Sequence, residues 1–540
     1  MKRQTKAEAK KTTSSKTFPE WSKQLGSKIT LIFLLLVGFF YRFYGLRNNY
    51  SFWNDEGHVA IFVRAILERG QPVLDHGYST GVYQWLWYWL GAVSARIFGL
   101  NEFALRFPSL IFGVLTIWAI WLLGRELFPL SVSEKTKASS CLTLPSAKEL
   151  IPLLAAFFIT FLNIEILWSR QARPYQAMQF FYLLAFWFVW RLVKEKKLNW
   201  RYFLGFLGSG VLVSLLHGLG IVILLAGVLF LAVFRFNLIK KWLPLSFLAG
   251  IPLIYAFRGH LWAVISSLGR VNNLFYYRVF LWHDYPALVL LALIGGLALF
   301  IRKEWLKLAF LAFPLALQIT LISLLLPQPF VRYFYIVFPF LILLGAIGLT
   351  EASYFLSSWK GLPRQLGLIR PRGGFVLLLL LALLFATMGH KFTLRPRRFY
   401  SLSEDMQEVP EVDYKKIYAF IEKELQANPE AVFISNWNDH PIWYLGEGGL
   451  DYLLRVPNHK TEIDPVSGAR HLWDLDQLKG VVADNSRGLI LLESWETKLP
   501  SGVREYITGN LKKELEVDRL YPVQPRYWPV EVYSWGIARD

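Results

Sequence analysis

Long apolar runs dominate this chain. Runs of 15 to 22 residues recur from Ile29 to Met388, as in ITLIFLLLVGFFY near the start and FVLLLLLALLFATM near residue 380. Each can cross roughly 30 Å of hydrocarbon as a helix. Backbone in lipid must satisfy its own hydrogen bonds, so repeated runs of this length require a polytopic helical bundle. With 54% of its 540 residues hydrophobic, the chain has too little polar surface to fold as a soluble globule.

Eleven spans are predicted, near 29–46, 108–124, 151–168, 175–193, 200–216, 218–234, 242–257, 286–301, 308–326, 333–354 and 374–389. With the N-terminus inside, the cytoplasmic loops are 125–150, 194–199, 235–241, 302–307 and 355–373. Each carries lysine or arginine, for example Arg125, Lys194, Lys240, Arg302 and Arg364. This is the orientation rule for loop charge. No small-residue cleavage site follows the first run, so it reads as an uncleaved span. Residues 82–99, VYQWLWYWLGAVSARIFG, are apolar enough to pass for a further span. If they crossed, every later loop would change sides. Their Trp and Tyr content suits the headgroup level, so 58–69 and 82–99 are read as interfacial helices.

Charge divides the chain a second time. Residues 391–540 hold 19 of the 58 Lys/Arg but 24 of the 39 Asp/Glu, leaving 39 basic against 15 acidic residues in 1–390. The basic excess therefore belongs to the membrane part, and a slightly acidic soluble part gives nucleic acid no basic face. Residues 391–540 have short apolar runs and a helical pattern at Tyr414–Leu425, which predicts a small extracytoplasmic α/β domain. The organisation is a basic cytoplasmic tail (1–28), a transmembrane catalytic domain (29–390) and that outer domain (391–540). The single cysteine, Cys141, rules out an intrachain disulfide.

Acidic residues on the predicted outer face are few. Asp55 and Glu56 stand in SFWNDEGHVA, just after the first span. The plain alternative is that Asn54 or Asp55 caps the helix that follows. A second cluster is SRQARPYQ, with Arg170, Arg173 and Tyr175 at the start of a helix, where an anion can be held. Snorkelling to the headgroups is the alternative there, but these arginines sit on the side the orientation rule leaves poor in charge. Arg332 and Tyr333 stand in the short loop PFVRYFY. His58 and His217 complete the candidates, His217 being equally a hydrogen-bonded turn residue. A carboxylate can take a proton from an attacking hydroxyl, and arginines can stabilise a departing phosphate. A lipid-borne phosphate explains why such groups lie at the membrane edge, where nucleotide sugars are not expected.

In order, Asn54-Asp55-Glu56, the helix ending Glu68-Arg69-Gly70, Phe98-Gly99, Arg106-Phe107-Pro108-Ser109, Gly124-Arg125-Glu126-Leu127-Phe128, Ser169–Tyr175 and Arg332-Tyr333 resemble the GT-C glycosyltransferases. The likeness covers roughly 28–350 and is nearest to the protein mannosyltransferase-like and aminoarabinose transferase-like branch. It implies a GT-C fold and inverting transfer from a polyprenyl-phosphate sugar to an acceptor that is a protein, lipid or glycan. It implies Asp55 as catalytic base with Glu56 supporting it or binding acceptor. It also implies Arg170, Arg173 and Arg332 at the donor phosphate, with Tyr333 beside Arg332; His58, Tyr175 and His217 are candidate substrate contacts. Many relatives have a second acid where Tyr175 stands, so no cofactor is expected and a divalent metal is unsupported. Glu165 could substitute for that acid, or be paired and structural. An oligosaccharide transferase of the same superfamily is the nearest rival. A lipid-linked glycan transporter would need polar residues along its spans, and a membrane scaffold leaves the acid pair and the arginines unexplained.

Overall fold

The computed structural model describes residues 20–81, 84–129, 147–240, 255, 258, 271–358, 372–406, 409, 411–456, 461–496, 498–520 and 529–537. The helices of the N-terminal half are α1 (Glu20–Phe43), α2 (Asn54–Arg69), α3 (Trp85–Phe98), α4 (Glu102–Leu127), α5 (Ala147–Phe161), α6 (Asn163–Trp168), α7 (Tyr175–Lys194), α8 (Trp200–Leu216) and α9 (Ile221–Ile239). There follow α10 (Leu274–Val279), α11 (Pro286–Ile301), α12 (Trp305–Leu324), α13 (Val331–Tyr335), α14 (Phe338–Ser358) and α15 (Arg372–Met388). A helix covers each predicted span except 242–257, which lies outside the described residues together with the tail before residue 20 and most of loops 125–150 and 355–373.

Among the described residues, six helices are long and apolar enough to cross a bilayer, and the pair Leu274–Asp284 with Pro286–Ile301, bent by 98°, makes up to seven. Three predicted spans are shorter apolar helices, at Glu149–Phe161, Trp200–Leu216 and Val376–Lys391. The first is short because the run 151–168 breaks at Leu162, whose extended backbone bridges Phe392. Thr393 N–H then donates to the Phe161 carbonyl at 2.7 Å, and the Thr393 hydroxyl donates to Asn163. Side chains such as Phe33, Leu36, Val233, Leu293, Leu297 and Phe355 point outward, each more than half exposed. An apolar surface of this extent needs lipid around it, and the protein is an integral membrane protein. Between α11 and α14, a methyl on Gly348 would come within 1.8 Å of the Leu291 carbonyl, so glycine is what allows the backbones to meet.

Helices α2 and α3 are not among the helices long and apolar enough to cross a bilayer. Helix α3 has 14 residues, about 21 Å at helical rise, short of the hydrocarbon thickness. Helix α2 begins at Asn54, so Asp55 and Glu56 fall in its first turn; Trp53 is the cap and makes no side-chain capping bond. Capping by Asn54 or Asp55 therefore does not account for the acid pair.

The C-terminal domain contains β1 (Val432–Ser435), β2 (Tyr452–Leu454), β3 (Arg470–Leu472), β4 (Gly488–Glu493), β5 (Lys512–Val517) and β6 (Val530–Trp535). They form one sheet in the order β3-β2-β1-β4-β6-β5, parallel from β3 to β4 and antiparallel at β6 and β5. Side chains alternate between two cores. Phe433, Leu489, Leu491 and Val532 face α16 (Tyr414–Ala427), and Ile434, Ile490, Leu492 and Tyr533 pack with Leu478, Val503 and Ile507 of the opposite face. A short helix, α17 (Asp439–Leu445), leaves the end of β1 and lies on α2.

Candidate active site

The elements flanking Asp55 converge at one end of the bundle. The turn between α6 and α7 is fixed from four sides. Ser109 donates to the Gln171 carbonyl at 2.5 Å and is 3.1 Å from the Arg173 carbonyl. Trp87 Nε1 donates to the Ala172 carbonyl at 3.1 Å, and Trp53 Nε1 to Gln171 Oε1 at 3.0 Å. Glu56 Oε1 accepts from the Ala172 N–H at 2.6 Å. Glu56 is fully buried and receives Arg106 in a bidentate pair, Nε at 2.8 Å and Nη2 at 2.5 Å. Arg106 also donates to the Tyr50 and Ser51 carbonyls.

Held in this way, the turn points Arg173 at Asp55. Arg173 Nη2 lies 3.2 Å from Asp55 Oδ2, and its Nη1 donates to the Asp55 carbonyl at 3.0 Å. Arg332, from α13, reaches the same Oδ2 at 2.8 Å. Both cations therefore share one carboxylate oxygen, Oδ2. The Asp55 side chain is 28% exposed, whereas Arg173 and Arg332 are 6% and 9% exposed. Burial alone would raise the Asp55 carboxyl. Arg173, Arg332 and His58, in that order, outweigh it and hold the group below the usual carboxylate range. Arg332 lies over the rings of Phe330, Tyr333 and Tyr175, an aromatic cradle that suits a guanidinium.

Tyr175, Tyr333 and His217 form the wall beside the arginines, with Tyr175 to His217 centroids 5.6 Å apart and Tyr333 to His217 6.4 Å. The His217 Nδ1 accepts from the Leu219 N–H at 3.2 Å. Burial first, then Arg173 and Arg332, push its pKa down to about 3, so it stands neutral. His58 is turned toward the C-terminal domain, 3.1 Å from Asp439.

Two expected site residues lie elsewhere. Arg170 is buried and points away from Asp55. It donates to the Tyr41, Arg42 and Tyr44 carbonyls at the end of α1 and to the Arg398 carbonyl. Orphan carbonyls at a helix C-terminus attract a cation, so in this structure Arg170 clamps the end of α1. Glu56 is fully buried in this structure and stands behind Asp55, paired with Arg106. Glu165 is buried and accepts from Gln179 at 3.1 Å and Tyr335 at 2.9 Å, so it is paired within the bundle. Arg106, Ser109 and Trp87 hold the site from behind and were legible only as parts of a motif. The donor set fits an anion better than a cation: both acids of the pair are taken by arginines, and no group of three His, Cys, Asp or Glu suited to a metal ion occurs among the described residues. A separate cavity of about 740 Å³ lies between the ends of α1 and α3 and the C-terminal domain, lined by Phe43, Arg47, Phe98 and Trp443 among others, and not by Asp55.

Comparison with solved structures follows from this architecture. ArnT from Cupriavidus metallidurans, bound to undecaprenyl phosphate, superposes with a TM-score of 0.54 at 12% identity, over 95% of this chain and 98% of that one. Its apo state gives the same TM-score at 14% identity. The fold is the GT-C fold. An apo oligosaccharyltransferase from Archaeoglobus fulgidus superposes with a TM-score of 0.50 at 14% identity, over 79% of this chain and 64% of that one. By sequence, residues 85–138 match the dolichyl-phosphate-mannose-protein mannosyltransferase family, a segment that supplies Trp87, Arg106 and Ser109. Among curated proteins, none matches the chain by sequence. Within the GT-C fold, Asp55 stands just after the first long apolar helix, and the C-terminal domain packs on the helix that carries it.

Proposed function

We propose that this chain is an inverting glycosyltransferase that moves a sugar from a polyprenyl-phosphate carrier to an acceptor hydroxyl at the outer face of the cytoplasmic membrane. The observation that carries the reading is the partly exposed carboxylate of Asp55, one oxygen of which is shared by two buried arginines. A donor phosphate entering from the membrane edge is a better partner for Arg173 and Arg332 than a carboxylate, because its oxygens accept from both guanidiniums and gain charge as the sugar leaves. Asp55 Oδ1 then faces the acceptor hydroxyl as proton acceptor. The resemblance of the motifs to GT-C enzymes and the undecaprenyl phosphate held by ArnT support the same donor class.

No step of this reading runs through a metal. Asp55 and Glu56 are neutralised by arginines, and a hard divalent ion would have to displace them. Activity is therefore expected to survive a chelator, and loss with EDTA restored by a divalent ion would turn the reading toward a metal-dependent oligosaccharide transferase.

The test offers purified protein radiolabelled polyprenyl-phosphate sugars one at a time and follows release of the lipid phosphate. Asp55→Asn should abolish transfer while leaving membrane insertion intact. Arg173→Ala should weaken donor binding most. Normal transfer by Asp55→Asn would remove the proposed base.

A further inference from the structure

A second titratable pair stands one helical turn from Asp55. His58 follows Asp55 at i+3 on α2, so the two side chains share a face. His58 Nδ1 lies 3.1 Å from Oδ1 of Asp439, whose side chain is 8% exposed against 27% for His58. Asp439 belongs to the C-terminal domain. The contact fixes the ring: Nδ1–H donates to the carboxylate, and Nε2 is left as an acceptor. Phe62 packs edge-on against the imidazole at 5.1 Å. The charged and titratable neighbours are Asp55 on α2, Asp439 and His440 on α17, and Tyr78 with Asp464 behind Asp439.

Asp439 is held by a whole interface. Arg64 donates to the Ile442 and Trp443 carbonyls at 2.7 and 2.6 Å, satisfying the end of α17. His440 Nε2 lies 3.1 Å from the Phe52 carbonyl, and Tyr444 donates to Glu102 at 2.8 Å. Glu447 accepts from the Asp75 N–H at 3.1 Å and from Arg69. These contacts place α17 against the helix that carries Asp55.

We propose that His58, aligned by Asp439, receives the acceptor's proton from Asp55, which makes the C-terminal domain a working part of the active site. The proposal rests on the reading of Asp55 as the base of a glycosyl transfer. In that step the acceptor oxygen bonds to the anomeric carbon as the carbon–oxygen bond to the lipid phosphate breaks. The bonding pair leaves with the phosphate, and the acceptor's proton passes to Asp55 Oδ1 and on, through a bridging water because the two side chains make no direct contact, to His58 Nε2. A carboxylate held by two guanidiniums is a weak proton acceptor, and an imidazole is intrinsically a stronger base. Asp439 is a positioning residue, acting through His58.

The test measures release of lipid phosphate by the full-length protein in nanodiscs, with a radiolabelled undecaprenyl-phosphate sugar and host membrane vesicles as the acceptor source. His58→Gln should lower kcat by about a hundredfold with the donor KM unchanged. Asp439→Asn should lower it by about tenfold, Asp439→Glu less, and the double variant should be no worse than His58→Gln alone. Added imidazole should partly restore His58→Gly. If His58→Gln keeps wild-type kcat, or if the two losses multiply while Asp55→Asn is inactive, the proposal falls and the Asp55 reading stands. If Asp55→Asn releases lipid phosphate as the wild type does, both fall together.

Discussion

Three arginines of the same type, all legible as phosphate ligands, end in two different roles. Arg170 and Arg173 are three residues apart in a tight turn, and that turn sends one to the carbonyls ending α1 and the other to Asp55. Sequence spacing shows that both are near a helix start, but the direction of each side chain depends on Glu56, Ser109 and Trp87, more than 60 residues away. Arg332 offers a pH prediction. With both arginines present, Asp55 remains ionised well into acid. Arg332→Gln removes one cation while the effect of burial persists, so the Asp55 carboxyl rises. The acid limb of kcat/KM should then move to higher pH, alongside a loss on the order of a hundredfold at neutral pH. A pH–rate profile checks this, and an unmoved limb would separate Asp55 from the titrating base. Glu56 belongs to the same scale through stability. Glu56→Ala strands the buried Arg106 guanidinium and should cost roughly 3–5 kcal/mol, read as a lowered thermal midpoint, whereas a pure catalytic role would leave that midpoint unchanged.

Elements were legible where a single period or length governs them. The helical runs, the interfacial pair before α4 and the α/β character after residue 391 all follow from apolar spacing. The break at Leu162 was not legible, because its cause is the strand-like return of Phe392 and Thr393 from the far end of the chain. The segment leading into α16 carries a buried switch of similar long-range origin. Glu411 accepts from Ser401 at 2.5 Å and from the Leu402 N–H at 3.0 Å. Burial pushes its carboxyl up to about 7, although both hydrogen bonds pull it down. Because the folded value lies above the unfolded one, its stabilising contribution is full at acid pH and is lost as pH rises through about 7. Glu411→Gln keeps both contacts without a charge. It should be neutral near pH 5 and stabilising at pH 8.5 by on the order of 2–3 kcal/mol, measured as the shift in thermal unfolding of the solubilised protein. An equal shift at both pH values would mean that Glu411 does not titrate in this range.

At the scale of the molecule, the argument turns on sidedness. The close approach of Asp55, Arg173 and Arg332 brings the ends of α1, α6, α7 and α12 to one face of the bundle. Loop charge, with Lys196 and Lys303 at the opposite end from Asp55, is why we propose that this face lies outside. The assignment also decides the donor, since outside the cell a sugar must arrive on a lipid, whereas on the inside a nucleotide sugar would serve. Cysteine accessibility tests it directly in a Cys141→Ser background. Lys423→Cys, exposed on α16, should react with an impermeant maleimide in intact cells. Lys196→Cys, exposed between α7 and α8, should react only after permeabilisation. The reverse pattern would put Asp55 in the cytoplasm and remove the physical reason for a lipid-linked donor, leaving the arginines to hold the diphosphate of a soluble one.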